Sequence, residues 1–522
     1  MWGNTGNRIC IAPALFLACT LQRGVKEQGL KHRHLGLATG FFLSMTASEA
    51  AAQEGVGGLV GGAINAFNAA VFSTVDIAGT SVELIVLWLA TPMVLLTVYL
   101  GFINLRGFRI AWHVVTGRFS DPSAPGEVSQ FQALSTALSG TVGLGNIAGV
   151  AIAIGAGGPG VAFWMTLIGL LAMSLKFSEV TLSVKYRRLN DDGSVSGGPM
   201  YYLSRGLATR GWRRAGLILG WAYALCALPS LLQIAQVNQA YSQLSLVTGF
   251  SFPWVFGIAM SLGTAFVIIG GIGGIAKVTS RLVPLMAAIY LGGALFILVS
   301  NASAVPGAIA LILSEAFDPK AMGAGSILAV FVIGMRRAVY STEAGIGSAT
   351  IAHAAAKTHE PVSEGMVALM EPFVDTVVIC SITALVIVVT GVYTDTSLND
   401  IQMTSAAFNS VIEGFDVVLA VAVLLFAFST IVSWAYYTSK VWGFVFGESK
   451  ISIRTFQLVY CTALIPGAVL SMQQVFDIVD SIFFLMAVPN ILGVYLMAGE
   501  LKADLKDYLA RLKSGAIAAK TP

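Results

Sequence analysis

Charge is what this sequence has least of. Asp, Glu, Lys and Arg make up only 11% of its 522 residues, against 56% hydrophobic. A water-soluble chain commonly carries about a quarter of its residues as charges, so this one cannot cover a globule with them. Cysteine and histidine are scarce too, five of each. Cys10, Cys19, Cys226, Cys380 and Cys461 show no metal or redox spacing. Three of them fall in apolar runs, where a free cysteine packs as a small hydrophobe. There is no paired His or Cys ligand spacing, no GxSxG and no clear Ser/Lys dyad, which argues against an enzyme. The net charge of +3 gives no reason to expect a nucleic-acid partner.

What is present is a series of apolar runs separated by short polar breaks. Each is about 20 residues, the length a helix needs to cross the roughly 30 Å hydrocarbon core. Backbone in lipid must satisfy its own hydrogen bonds, so the runs are predicted to be helices. The expected class is an all-α membrane protein with eleven spans, near 82–103, 130–154, 160–184, 215–241, 252–275, 281–300, 323–346, 366–391, 415–440, 454–472 and 475–498. Residues 1–52 read as a signal peptide or N-terminal extension. Basic Lys31–His34 is followed by the apolar stretch Leu35–Met45 and then by Ala50–Ala52, the order of a secretory signal; a disordered or marginally inserted tail is the alternative. Residues 53–80 are expected to be an external segment, 81–500 the transmembrane domain and 501–522 a cytoplasmic tail.

Lys and Arg concentrate in alternate breaks, as the positive-inside rule requires. Arg106, Arg109 and Arg118 follow the first span and the next break has none. Lys185 to Arg214 form the next basic group, then Lys277 and Arg281, Arg336 to Lys357, and Lys440 to Arg454. Lys320 is the exception on the other side. The pattern predicts an external N terminus and a cytoplasmic C terminus in a cell membrane, the inner one if the source is Gram-negative.

The second span reads GTVGLGNIAGVAIAIGAGGPG, Gly140 to Gly160. Each glycine costs a helix interior up to about 1 kcal/mol relative to alanine. Close packing through small residues would space them four apart on one stripe; here they fall two, three and four apart around Thr141 and Asn146. That predicts a helix broken at bilayer depth, where free N–H and C=O groups are tolerated only if they line a cavity or bind something. Secondary transporters hold substrate carboxylates and cations in this way. Such breaks come in pairs when a fold contains an inverted repeat. Five spans on, Gly334 followed by Met335, Arg336 and Arg337 is the expected second interruption.

GTVGLGNIAGV and GGPG, with KFSEVTLSVKYR (Lys176–Arg187), GGPMYYL (Gly197–Leu203), GMRRAVYSTEAGIGSA (Gly334–Ala349) and FAFSTIVSWAYY (Phe426–Tyr437), resemble the alanine or glycine:cation symporter family. The likeness runs from about Ser81 to Leu501. It implies a LeuT-type fold, one extra helix before a five-plus-five inverted repeat with two broken helices, and sodium-coupled uptake of alanine or glycine. It further implies that the break at Thr141, Gly143 and Asn146 holds the substrate carboxylate on the N–H groups of Leu144 and Gly145. Sodium, the coupling ion, would sit on the carbonyls of Ser139, Val142 and Phe426 and the hydroxyls of Ser429 and Thr430. Oxygen ligands without a formal carboxylate suit a hard cation. Phe331, Gly334 and Met335 would line the second break and Trp434 would close the pocket. The family usually has Asn where this chain has Thr342. A monomer or weak oligomer is expected.

Polar groups at membrane depth are functional candidates. Gln236 and Asn238 suit either a substrate wall or helix–helix hydrogen bonds. Asp375 suits a proton or cation ligand, or a structural bond to a neighbouring hydroxyl. Lys176 and Glu179 are expected to pair on one helical face. Arg336 and Arg337 are expected near the inner exit as anchors or a gate, locked by Glu343. The remaining alternatives are a proton-driven carrier and, more remotely, a channel.

Overall fold

The computed structural model describes residues 56–77, 79–230, 233–318, 326–395, 397–398, 400–469 and 480–517. The signal-peptide reading of residues 1–52, Lys320, and parts of the last two expected spans lie outside them. The chain divides into two units, Met1–Ala66 and Phe67–Pro522. Of the first, residues 56–66 are described, and they belong to helix α1 (Val56–Val71). The second begins with the antiparallel hairpin of β1 (Thr74–Ile77) and β2 (Thr80–Glu83).

Helices then follow almost without pause: α2 (Leu84–Tyr99), α3 (Phe108–Val115), α4 (Gln130–Thr141), α5 (Leu144–Gly157), α6 (Val161–Lys185), α7 (Pro199–Thr209), α8 (Arg213–Ser230), α9 (Ile234–Thr248), α10 (Pro253–Ile268), α11 (Gly271–Ser300) and α12 (Val305–Phe317). After them come α13 (Ile327–Thr342), α14 (Thr350–Ala354), α15 (Pro361–Ala368), a stretch through the π-helical turns Phe373–Cys380 into α16 (Ser381–Thr390), α17 (Asp400–Asn409), α18 (Phe415–Phe446), α19 (Lys450–Leu464) and α20 (Ala487–Lys513). Among the described residues six helical stretches are long and apolar enough to cross a membrane, seven counting the bent pair α4 and α5.

Burial explains the arrangement. α6, with 18 of its residues buried, and α18, with 20, form the interior, and α4 packs on both α18 and α11. α10 and α11 expose Phe266, Ile269, Phe296 and Val299 instead, the surface a lipid solvent permits. The fifth and sixth segments divide at Ile269–Gly270, where Gly271 takes φ +60°. Lys277 and Arg281 therefore sit inside α11 and not in a loop between spans. The last helix runs on to Lys513, where Arg511 holds Glu360 at 2.5 and 2.7 Å.

Candidate functional site

α4 begins on a capping box. Ser129 Oγ accepts from the Gln132 N–H at 3.2 Å and Gln132 Oε1 accepts from the Ser129 N–H at 3.0 Å. It ends at Thr141, and α5 restarts at Leu144 with its axis turned by 40°. Asn146 sets the restart: its Oδ1 takes the Gly143 N–H at 2.8 Å, while its Nδ2 donates to Ser341 Oγ at 3.0 Å and Asp375 Oδ1 at 2.6 Å. Asn146 is therefore a buried bracket behind the break rather than part of the cavity wall. Asp375 is likewise braced, since its Oδ2 accepts from Ser341 Oγ at 2.6 Å and Thr376 Oγ1 at 2.8 Å. The structural alternative for Asp375 is the one its surroundings display.

A cavity of about 60 Å³ opens beside the break. Gly140, Thr141, Gly143 and Gly145 form one wall, Gln233 and Gln236 a second, and Thr430 and Trp434 of α18 a third. Tyr340, Glu343, Asp480 and Phe483 complete it. Trp434 lies 6.1 Å from Phe483, which lies 5.6 Å from Tyr340, centroid to centroid, so aromatic rings edge the space. Trp434 Nε1 also donates to the Gly140 carbonyl at 3.2 Å, fixing that ring against the broken helix. Gln236 Oε1 is buried and meets no protein donor. Buried polar atoms are normally paired, and this one lies on the residue that forms the cavity's second wall.

Against the cavity, α4 and α18 are joined by hydroxyls and carbonyls. Thr430 Oγ1 donates to the Ser139 carbonyl at 3.0 Å, Ser139 Oγ to the Ser429 carbonyl at 2.8 Å, and Ser429 Oγ to the Phe426 carbonyl at 2.9 Å. Ser139 and Ser429 are fully buried. Four of the five residues expected to hold a cation thus interlock through their oxygens. The fifth, Val142, is buried at the break with its N–H on the Leu138 carbonyl at 2.7 Å.

The interruption expected at Gly334 is not found there. α13 runs unbroken through Gly334, Met335, Arg336 and Arg337, since Met and Arg are good helix formers. Gly334 serves close packing, because a Cβ there would stand 3.0 Å from Trp164 Cβ. Phe331 stacks edge-on with Trp164 at 5.4 Å and Met335 is fully buried; none of these three is among the cavity-lining residues. The chain breaks instead at Glu343, at φ +52°, followed by Gly345 at +89° and Gly347 at +82°. A left-handed backbone costs a residue other than glycine roughly 1–2 kcal/mol, and such strain concentrates at functional sites. Glu343 faces the cavity and accepts from Ser348 Oγ.

Two expected charge pairings are redrawn. Lys176 donates to Glu371 at 3.0 Å, and Glu179 accepts from Asn490. Arg336 pairs with Glu83 at 3.0 Å and covers the Phe72 ring at 4.7 Å, so Glu343 does not lock it. At Lys176, which is fully buried, the carboxylate of Glu371 aimed directly at the ammonium outcompetes the helical neighbour three residues away. Arg187, in the KYR of Lys185–Arg187, was not singled out from sequence. Its guanidinium binds the carbonyls of Ala354, Ala356, Pro125 and Thr358 at 2.6–2.9 Å.

An interrupted helix, a small cavity beside it and an oxygen-lined junction on a bundle of apolar helices are features of one class, membrane carriers for small solutes. The fold agrees. A solved structure of MhsT in complex with L-phenylalanine superposes with a TM-score of 0.51 at 16% identity, covering 72% of this chain and 89% of that one. The chain belongs to the sodium:alanine symporter family, whose model matches residues 65–521. It is 36% identical to the sodium/alanine symporter AgcS of Methanococcus maripaludis, over 81% of this chain and 94% of that protein. It is 34% identical to a putative sodium/proton-dependent alanine carrier protein, YrbD, of Bacillus subtilis, over 82% and 92%. With the probable sodium/glutamine symporter GlnT of the same organism it shares 33% identity, over 74% and 80%. The protein is thus a membrane transporter of the amino-acid:cation symporter class and not an enzyme.

Proposed function

We propose that the protein carries alanine or glycine across a membrane together with sodium, by alternating access. The observation that carries this reading is the pairing of the cavity at the α4–α5 break with the oxygen junction of Ser139, Phe426, Ser429 and Thr430. The substrate carboxylate binds the free N–H groups of Leu144 and Gly145 at the start of α5, where helix dipole and unpaired donors both favour an anion. Gln236 Oε1 offers the ammonium group an acceptor, and Trp434 closes the pocket. The small cavity favours a small amino acid over a bulky one. Sodium binds the Ser139, Val142 and Phe426 carbonyls and the Ser429 and Thr430 hydroxyls, a cage of hard oxygen ligands. Eleven passages, N terminus outside and C terminus inside, with the last ten as two inverted sets of five, complete the proposal; the protein acts as a monomer or weak oligomer.

The test is uptake into proteoliposomes. Labelled alanine should accumulate only under an inward sodium gradient, with unlabelled alanine and glycine competing better than glutamine. Sodium-independent uptake would reject the coupling. The rival is proton coupling, favoured by the name of the putative sodium/proton-dependent alanine carrier YrbD. It predicts accumulation driven by a proton gradient alone and abolished in Asp375→Asn.

A further inference from the structure

Away from the cavity lies a buried set of ionisable groups to which the transport reading gives no task. Lys176 of α6 holds Glu371 at 3.0 Å, both fully buried. His353 of α14 holds Glu364 of α15 through Nδ1 at 2.6 Å, and its Nε2 lies 3.6 Å from Glu371 Oε2. Neither that nitrogen nor that oxygen has a hydrogen-bond partner. A neutral imidazole has a single N–H; donated to Glu364, it leaves a lone pair turned toward a carboxylate. An imidazolium serves both carboxylates, and it balances two buried cations against two buried anions. Leaving one buried charge unpaired is costly.

These groups sit where they can govern movement. Glu364 Oε1 holds His353, and its Oε2 accepts from Nε2 of Gln130, the first residue of α4, at 3.0 Å. One carboxylate therefore ties the base of the first interrupted helix to α14, the segment that follows the second interruption. Beside it the chains are stitched directly: Val128 and Ala356 form a parallel bridge, and the Lys357 N–H donates to the Val128 carbonyl at 2.8 Å. The titratable groups beyond are Arg187 on the Glu364 side, Glu179 and Glu343 on the Lys176 side, and Asp375 and the neutral Tyr437 hydroxyl of α18 toward Glu371.

We propose that His353 is a proton-binding site, bridging Glu364 and Glu371, whose occupancy locks the bases of the two interrupted helices together and whose release frees them to move. The functional half of this rests on the alternating-access reading; the structural half does not. Burial pulls the imidazole down, but the two carboxylates outweigh it and bring it up to about 9. The proton is held at neutral pH and leaves on the alkaline side.

Hydrogen exchange on the purified full chain tests this without any transport measurement. After correction for the intrinsic rate, peptides covering 127–139 and 349–358 should exchange at least fivefold faster at pH 10 than at pH 7, with a midpoint near pH 9. In His353→Gln, which keeps a donor but cannot titrate, that difference should vanish. A wild-type rate unchanged between the two pH values, or an equal increase in His353→Gln, overturns the proposal. Should His353→Gln fail to fold, Glu364→Gln replaces it: loss of the anion should move the midpoint down by more than one pH unit, and an unmoved midpoint overturns the proposal. Failure of the sodium-symport reading would appear in the proteoliposome assay and leave this exchange result standing.

Discussion

Replacing Thr430 by valine removes one hydroxyl and almost no volume, so it isolates the oxygen from the packing. Thr430 Oγ1 stands 3.0 Å from the Ser139 carbonyl and faces the break, 3.2 Å from where a Cβ on Gly143 would be. A hydrogen bond or ligand contact to a charged group contributes about 1.5–3 kcal/mol. At about 1.4 kcal/mol per factor of ten, Thr430→Val should raise the half-saturating sodium concentration roughly tenfold to a hundredfold. The maximal rate at saturating sodium should change little. The assay is the sodium dependence of initial alanine uptake in proteoliposomes at fixed alanine. Thr404→Val is the control: Thr404 is fully buried and its hydroxyl donates to the Ile147 carbonyl at 3.0 Å, so it loses a comparable bond away from the junction. Equal sodium dependence in wild type and Thr430→Val, or the same rise in Thr404→Val, would refute the assignment of Thr430 to a cation site.

At Gly145 an added Cβ meets only Ser341 Cα at 3.8 Å and Tyr340 Cδ1 at 3.9 Å, so Gly145→Ala should retain alanine binding. Gly145→Leu should abolish it by filling the cavity; normal binding by the leucine variant, read by equilibrium dialysis, sinks the pocket assignment. Lys176→Met should cost about 3–5 kcal/mol by stranding Glu371, seen as a fall in thermal midpoint, and adding Glu371→Leu should restore much of it. The raised His353 value makes its stabilisation complete below about pH 6.5 and lost as pH climbs through about 9. The thermal midpoint should therefore drop between pH 7 and pH 10, and less so in His353→Gln. A drop of equal size in both proteins would show that other groups govern it.

How much of this was legible in the chain varies with how local the cause is. The break at Thr141–Asn146 was legible because glycine density acts within one turn. The hydroxyl–carbonyl junction of Ser139, Phe426, Ser429 and Thr430 followed from the motif resemblance, not from spacing. The second break was misplaced: Gly334 looked like a helix breaker, yet its missing side chain makes room for Trp164. The real breakers, Gly345 and Gly347, stand behind a strained Glu343 that no propensity scale marks. The sequence expected Asn146 at the substrate, and the structure shows its amide bracing the break from behind; an amide at membrane depth reads the same on a cavity wall as in a bracket, which is why sequence alone does not decide the role of Gln236.

The sequence by itself determined the solvent and the element type, because both depend on summed apolar surface and on backbone groups that must bond within their own segment. It also determined the interruption between Thr141 and Leu144. Tertiary structure alone decided which charge meets which. Lys176 with Glu371, Arg336 with Glu83 and Gln130 with Glu364 are contacts between segments far apart in the chain. A buried charge selects its partner by the distance and aim that packing provides, and neither quantity is written in the order of residues.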